Sequence, residues 1–181
     1  VGVQTKRGCP HNCCFCVYGV VEGKKVRVNP VNEIIEEMKQ LYEMGVRGFW
    51  FTDAQFIPTK NHIQDAKLLL QAIKDQGWTD LKWAAYIRAD NIDRELAQLM
   101  VETGMSYFEI GITSGSQELV RKMQLAYNLK TVLENCRILV EAGFRNHVSV
   151  NYSFNVFDET PNTIKQTICL LYTSDAADDL L

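Results

Sequence analysis

The feature that most constrains this chain is a repeated punctuation. Stretches with helical apolar spacing end in Glu43-Met44-Gly45, Asp75-Gln76-Gly77, Glu102-Thr103-Gly104 and Glu141-Ala142-Gly143. A glycine just past a helix end takes the left-handed conformation that a side chain resists. After each comes a β-prone run: 49–51, 81–87, 107–111 and 147–152. With Val1–Thr5 as a first strand, the chain reads βαβαβαβαβ. Strands separated by crossovers of about 30 residues pair in parallel, with helices packed over the sheet. Periodicity is compatible with both an open sheet and a barrel.

Local signals mark the helices. Asn32 is placed to cap a helix over Glu33–Met44, and Asn91 or Asp93 to cap the one running to Glu102. Ile34, Ile35, Met38, Leu41 and Tyr42 recur at helical spacing and mark a buried face. Trp50, Trp78 and Trp83 read as packing residues. No low-complexity segment or linker interrupts the pattern, so 181 residues are expected to form one domain.

Composition excludes more than it selects. Apolar residues make up 46% and charged residues 23%, as in ordinary globular proteins, and a net charge of −3 gives no global attraction to nucleic acid or anionic membranes. No run approaches the roughly 18 apolar residues of a membrane span. Of the six cysteines, Cys9, Cys13, Cys14 and Cys16 crowd one short stretch, while Cys136 and Cys169 stand apart. That distribution suits a metal site in a reducing cytoplasm better than a disulfide framework.

The crowded stretch is Gly8-Cys9-Pro10-His11-Asn12-Cys13-Cys14-Phe15-Cys16, directly after the first strand. Three residues separate Cys9 from Cys13 and two separate Cys13 from Cys16, so these thiolates can converge on one soft metal centre. Cys14, beside Cys13, points elsewhere. Structural zinc sites and ferredoxin clusters want four protein ligands. Three leave one iron of a four-iron cluster open to a substrate. A zinc module with His11 as fourth ligand, and a dithiol oxidoreductase using Cys13 and Cys16, are the competing readings. Other polar residues fall at successive strand exits, where parallel β/α barrels gather functional groups. They are Thr52-Asp53-Ala54-Gln55, Arg88-Ala89-Asp90, Thr113-Ser114-Gly115-Ser116, and Asn151 with Ser153.

Cys-x-x-x-Cys-x-x-Cys after a first strand, with the aromatic Phe15 before the third cysteine, resembles the radical S-adenosylmethionine superfamily. The resemblance covers residues 1–168. It implies a partial parallel (β/α)6 barrel of which about five βα units are present. It also implies a 4Fe–4S cluster on Cys9, Cys13 and Cys16, whose open iron chelates S-adenosylmethionine. One electron then gives a 5′-deoxyadenosyl radical, and the cofactors carry the difficult chemistry. Phe51–Phe56 is similar to a segment of the cobalamin-associated and methylthiotransferase-like branches. There Asp53 would accept from the ammonium of the bound methionine moiety, and Phe15 would pack near the adenine.

Gly111–Glu118 resembles the family's fourth strand exit, which implies cofactor contacts for Thr113 and Ser114 there and for Asn151 at the next exit. Thr113 stands where an acidic or amide residue is usual. Ser114 and Ser116 can instead cap the following helix. Leu125 occupies the place where relatives carry a basic residue, so the cofactor carboxylate falls to Arg88, while Arg121 and Lys122 read equally as solvated helix charges. Asp158-Glu159-Thr160-Pro161 resembles a Gly-Glu-Thr turn, with Asp158 in the glycine's place. The resemblance further implies an electron donor of the flavodoxin or ferredoxin type, and a small-molecule or otherwise undetermined substrate. Cobalamin would be held by a domain preceding Val1, and an accessory domain would follow the tail. Methyl transfer, cyclisation and sulfur insertion share this core; a methylthiotransferase is the alternative within the superfamily.

Both ends read as cut. The chain opens on Val1 within an expected strand, and residues 169–178 resemble an in-frame translation of a sequencing-library adapter. A core over 1–168 and a non-native tail over 169–181 are the expectation, against the alternative of an acidic frayed terminus.

Overall fold

The computed structural model describes residues 1–144 and 148–175. In chain order its elements are β1 (Gly2–Val3), β2 (Lys6–Arg7), α1 (Tyr18–Val21), β3 (Arg27–Val28), α2 (Val31–Glu43), β4 (Gly48–Phe51), α3 (Ile63–Asp75), β5 (Lys82–Ile87), α4 (Arg94–Glu102), β6 (Met105–Thr113), α5 (Gln117–Lys122), α6 (Leu129–Glu141), β7 (Val148–Tyr152) and α7 (Pro161–Asp175). Single 3-10 turns precede α3 and follow β5. Five strands form an all-parallel sheet in the order β1-β4-β5-β6-β7, and β2 pairs antiparallel with β3 in a separate ribbon. This is the expected α/β architecture, a partial barrel of five βα units.

The glycine signal holds at all four helix ends. Gly45, Gly77, Gly104 and Gly143 have φ of 93°, 69°, 82° and 113°. At Gly104 the requirement is double, because a Cβ would also lie 2.2 Å from the Leu81 carbonyl oxygen. The caps divide. Asp93 accepts from the Leu96 N–H at 2.9 Å and caps α4, whereas Asn91 is buried and donates to the Ile57 carbonyl. Asn32 does not cap α2, which starts at Val31, two residues before the expected Glu33, behind Pro30 with no side-chain cap. Proline's fixed φ presets the entry to the helix, and its missing N–H is one the first turn would leave unbonded anyway.

One sheet face packs under the helices. Phe49 and Phe51 of β4, Trp83, Ala85 and Ile87 of β5, and Phe108, Ile110 and Ile112 of β6 join Ile34, Met38, Leu70, Leu96 and Met100 in one buried core. Trp83, 1% exposed, satisfies its indole N–H on Thr103 Oγ1 at 3.1 Å, as a buried tryptophan requires. Trp78 stacks on Tyr42. Trp50 lies on the other face, against Tyr86 and Tyr107. Helix α7 continues through residue 175 without a break at 168, and Leu170 packs against the core. Residues 176–181 of the expected tail lie outside the described residues.

Candidate active site

The cysteine loop runs from the end of β2 to α1 and on to β3, so the ribbon clamps both its ends. Gly8 allows the closure. Its φ is +99°, and a Cβ there would sit 2.2 Å from the Lys25 carbonyl oxygen. The Gly8 N–H donates to Glu22 Oε2 at 3.1 Å, and the Cys9 N–H to the Gly23 carbonyl at 3.0 Å. Cys13 and Cys16 share a tight turn, with the Cys16 N–H on the Cys13 carbonyl at 3.1 Å. The Cys14 N–H reaches out to the Met123 carbonyl at the end of α5, and its side chain is exposed.

All described cysteines carry free thiols. Burial pushes the Cys9 thiol above its ordinary value; the nearness of Cys16 adds to this, while a backbone bond from His11 and the Arg88 charge oppose it. Burial also raises Cys13, followed by Cys16 and, less, Cys9, with Arg88 again opposing. Each of these two thiols therefore lies in the field of the other ligand candidates, and metal binding there must displace their protons. His11 is not a fourth ligand in this arrangement. Its Nε2–H donates to the Pro58 carbonyl at 2.7 Å, and burial lowers its pKa. Among the described residues no group of three His, Cys, Asp or Glu side chains closes around a single ion. The donor set is three soft sulfurs along one loop, which fits a thiolate-held iron–sulfur cluster.

The remaining strand-exit residues divide sharply. Asp53 is 1% exposed and its carboxylate is fully engaged. Oδ1 accepts from the Thr5 and Lys6 N–H groups at 2.8 and 3.0 Å; Oδ2 accepts from Lys6 Nζ at 3.0 Å and from the Thr5 hydroxyl. Lys6 is equally buried, donates also to the Phe56 carbonyl at 2.9 Å, and lies over the Phe56 ring. In this structure Asp53 forms an ion pair that ties β2 to the β4 exit, the place where the resemblance puts the ligand ammonium.

Arg88 likewise has internal partners. It forms a two-pronged pair with Asp90, Nε to Oδ1 at 3.0 Å and Nη2 to Oδ2 at 2.8 Å, and donates to the Leu125 and Ala126 carbonyls. Its charge reaches the cysteines, but its donors are committed to the chain. Ser114 has no exposed surface; its hydroxyl accepts from the Ser116 N–H and lies 3.4 Å from Thr167 Oγ1. Helix α7 crosses so close that a Cβ on Gly115 would lie 2.6 Å from Thr167 Cα. Ser116 stands at the start of α5 without a side-chain cap bond. Thr113 is buried at φ +66°, with its carbonyl accepting from the Ser153 N–H at 2.8 Å. Phe15, 60% exposed, is open to a ligand. Asn151 is exposed and donates to Glu109 Oε2 at 3.1 Å. Asp158 has φ +58°, the left-handed geometry expected where relatives have glycine.

Two features carry more here than in the sequence. Gln55, at the same exit as Asp53, carries a buried amide oxygen without a partner among the described residues. An unpaired buried acceptor costs free energy and is compatible with a ligand that donates. The β2–β3 ribbon that frames the loop is two residues per strand, too short for any alternation to register.

A parallel β/α barrel segment with a three-thiol loop at the carboxyl edge of its first strand defines a metal-cofactor enzyme core. The comparison with family models identifies it: residues 3–171 match the radical S-adenosylmethionine superfamily, and the chain belongs to that family, whose enzymes use a 4Fe–4S cluster and S-adenosylmethionine. It is 29% identical over 167 residues to an uncharacterized methyltransferase of Pyrococcus horikoshii, covering 92% of this chain and 35% of that one. It is also 29% identical over 143 residues to the threonylcarbamoyladenosine tRNA methylthiotransferase MtaB of Rickettsia prowazekii, covering 76% of this chain and 34% of the relative. Among solved structures it resembles the radical S-adenosylmethionine methyltransferase TsrM of Kitasatospora setae, determined with cobalamin and a [4Fe-4S] cluster bound. The TM-score is 0.83 at 24% identity, over 96% of this chain and 32% of that one. The chain thus spans about a third of the relatives it matches.

Proposed function

We propose that this chain is the cluster- and S-adenosylmethionine-binding core of a cobalamin-associated radical methyltransferase. The observation that carries the reading is the loop of Cys9, Cys13 and Cys16, clamped by the ribbon at the carboxyl edge of a parallel sheet. When bound there, the cluster and S-adenosylmethionine supply one-electron chemistry at a sulfonium. The chain's own residues hold and orient. The three thiols give up their protons to become ligands, and Phe15 offers an exposed ring to the adenine. The unpartnered Gln55 oxygen is the acceptor we assign to the methionine ammonium, in the place first read for Asp53. Asn151 and Thr113 line the later exits, and the Arg88–Asp90 pair fixes the β5 exit beside the cysteines.

Reduction of the cluster implies a flavodoxin- or ferredoxin-type donor in the cytoplasm; no helix of the described residues is long and apolar enough to cross a membrane. Anaerobic reconstitution tests the reading. Cys9→Ala, Cys13→Ala and Cys16→Ala are each expected to abolish cluster loading, while Cys14→Ala and Cys136→Ala retain it. Full iron content in any of the first three sinks the assignment, as does a colourless wild-type protein holding zinc. The similarity to a methylthiotransferase supports a second reading, and the mass added to the product by the full-length enzyme separates methyl from methylthio transfer.

A further inference from the structure

The sheet face opposite the helices is unlike that of most parallel sheets, which are apolar on both sides. Along β6, Phe108, Ile110 and Ile112 enter the core, while Tyr107, Glu109 and Gly111 turn the other way. Register puts Glu109 beside Tyr86 of β5 and Ser149 of β7, and Tyr107 beside Ala84, which pairs in turn with Trp50. The Trp50 ring meets Tyr86 edge-on at 5.2 Å and Tyr107 at 6.2 Å. Glu109 stands at the border of this aromatic wall. Its Oε1 accepts from the Tyr107 hydroxyl and its Oε2 from Asn151 Nδ2, each at 3.1 Å.

Those two bonds orient the carboxylate without exhausting it, since two oxygens offer about four acceptor positions. Both partners are neutral, and among the described residues no cationic side chain pairs with Glu109. Tyr86 is 38% exposed among the described residues. Burial, and then the Glu109 charge, raise the Tyr86 hydroxyl's pKa. Three electron-rich rings in mutual contact thus border a carboxylate that has no cationic partner among the described residues. Ring faces and carboxylate both favour positive charge, and the rings favour one carrying apolar substituents.

Resting on the function proposed above, we infer that this face binds the substrate through a positively charged group, a methylated ammonium or protonated amine. The cation sits against the rings of Trp50, Tyr86 and Tyr107 and the carboxylate of Glu109.

The test uses the anaerobically reconstituted full-length protein and two probes of equal shape, choline and 3,3-dimethylbutan-1-ol, titrated calorimetrically. Choline is expected to bind at least about tenfold more tightly than its neutral isostere. Glu109→Gln keeps the shape and both hydrogen-bond partners within reach; it is expected to erase most of that difference while iron content and melting temperature stay at wild type. Trp50→Ala is expected to weaken choline as well, and Tyr86→Leu replaces Glu109→Gln if the latter misfolds. Equal affinity for the two probes, no choline binding, or wild-type choline affinity in Glu109→Gln overturns the inference. Normal iron loading and S-adenosylmethionine binding beside any of these results leaves the function standing. Failure of the wild type to load iron strikes the function instead.

Discussion

Replacing Asp53 by Asn separates the two roles that residue can hold. The Lys6–Asp53 pair is 3% and 1% exposed at its side chains. In Asp53→Asn the amide oxygen can still accept from the Thr5 and Lys6 N–H groups. The amide nitrogen, however, now faces Lys6 Nζ and the Thr5 hydroxyl, and Lys6 keeps a buried charge without a counter-ion. Breaking one partner of a buried pair costs about 3–5 kcal/mol. For a domain of this size each kcal/mol lowers the melting temperature by roughly 2–4 °C, so a fall of roughly 6–20 °C is expected. Lys6→Met in the same background should recover most of it, because no orphaned charge remains.

The proton linkage of the pair has a defined sign. Burial lowers the Lys6 pKa below 10.5 in the folded chain, opposed chiefly by Asp53. Between that lowered value and 10.5 the unfolded chain binds more protons, so unfolding free energy rises with pH across the window. Removing the Asp53 charge lowers Lys6 further and extends the rise to lower pH. Thermal melts at a series of pH values, with S-adenosylmethionine titrated against the reconstituted protein by electron paramagnetic resonance, read both quantities. Unchanged stability with weakened cofactor affinity would refute the structural role and restore Asp53 as a ligand.

Gly104→Ala should destabilise more than Gly45→Ala. Both occupy left-handed backbone, at a cost of about 1–2 kcal/mol for a side chain, but only Gly104 would also drive its Cβ against the Leu81 carbonyl; equal melting temperatures refute this. Burial pushes the Cys136 thiol up to about 11, so at pH 8 its alkylation in the native protein should lag far behind that of exposed Cys14, and comparable rates by peptide mass spectrometry would contradict the placement. Leu170→Ala should lower stability measurably, since that side chain packs on the core; an unchanged melt would support an expendable segment from residue 169.

The parallel sheet was legible because each crossover carried its own stop signal. Gly45, Gly77, Gly104 and Gly143 report a backbone requirement that few other residues meet. The three-cysteine loop stood out because three thiols at fixed spacing have few other uses. The internal partners of Asp53, Arg88 and Ser114 were not legible. A charged or hydroxyl residue at a strand exit looks the same whether it faces a ligand or an internal partner. Its partner decides, and Lys6, Asp90 and Thr167 lie 47, 2 and 53 residues away in sequence. Asp90 was visible beside Arg88, but nothing in adjacency says the two will close on each other. Gln55 was named at its strand exit without a role for the opposite reason: its signal is a missing partner, which only a structure can reveal.

The strict two-sidedness of β6 has a consequence for how this chain can change. Phe108, Ile110 and Ile112 answer to the core, while Tyr107, Glu109 and Gly111 between them answer to whatever occupies the other face. Selection on folding and selection on specificity therefore act on interleaved positions of one strand, almost without sharing a side chain. A substitution scan of 107–112 should return two separate records, abundance responding at the even numbers and ligand choice at the odd. New specificities can then arise by drift along one record while the other holds the fold in place.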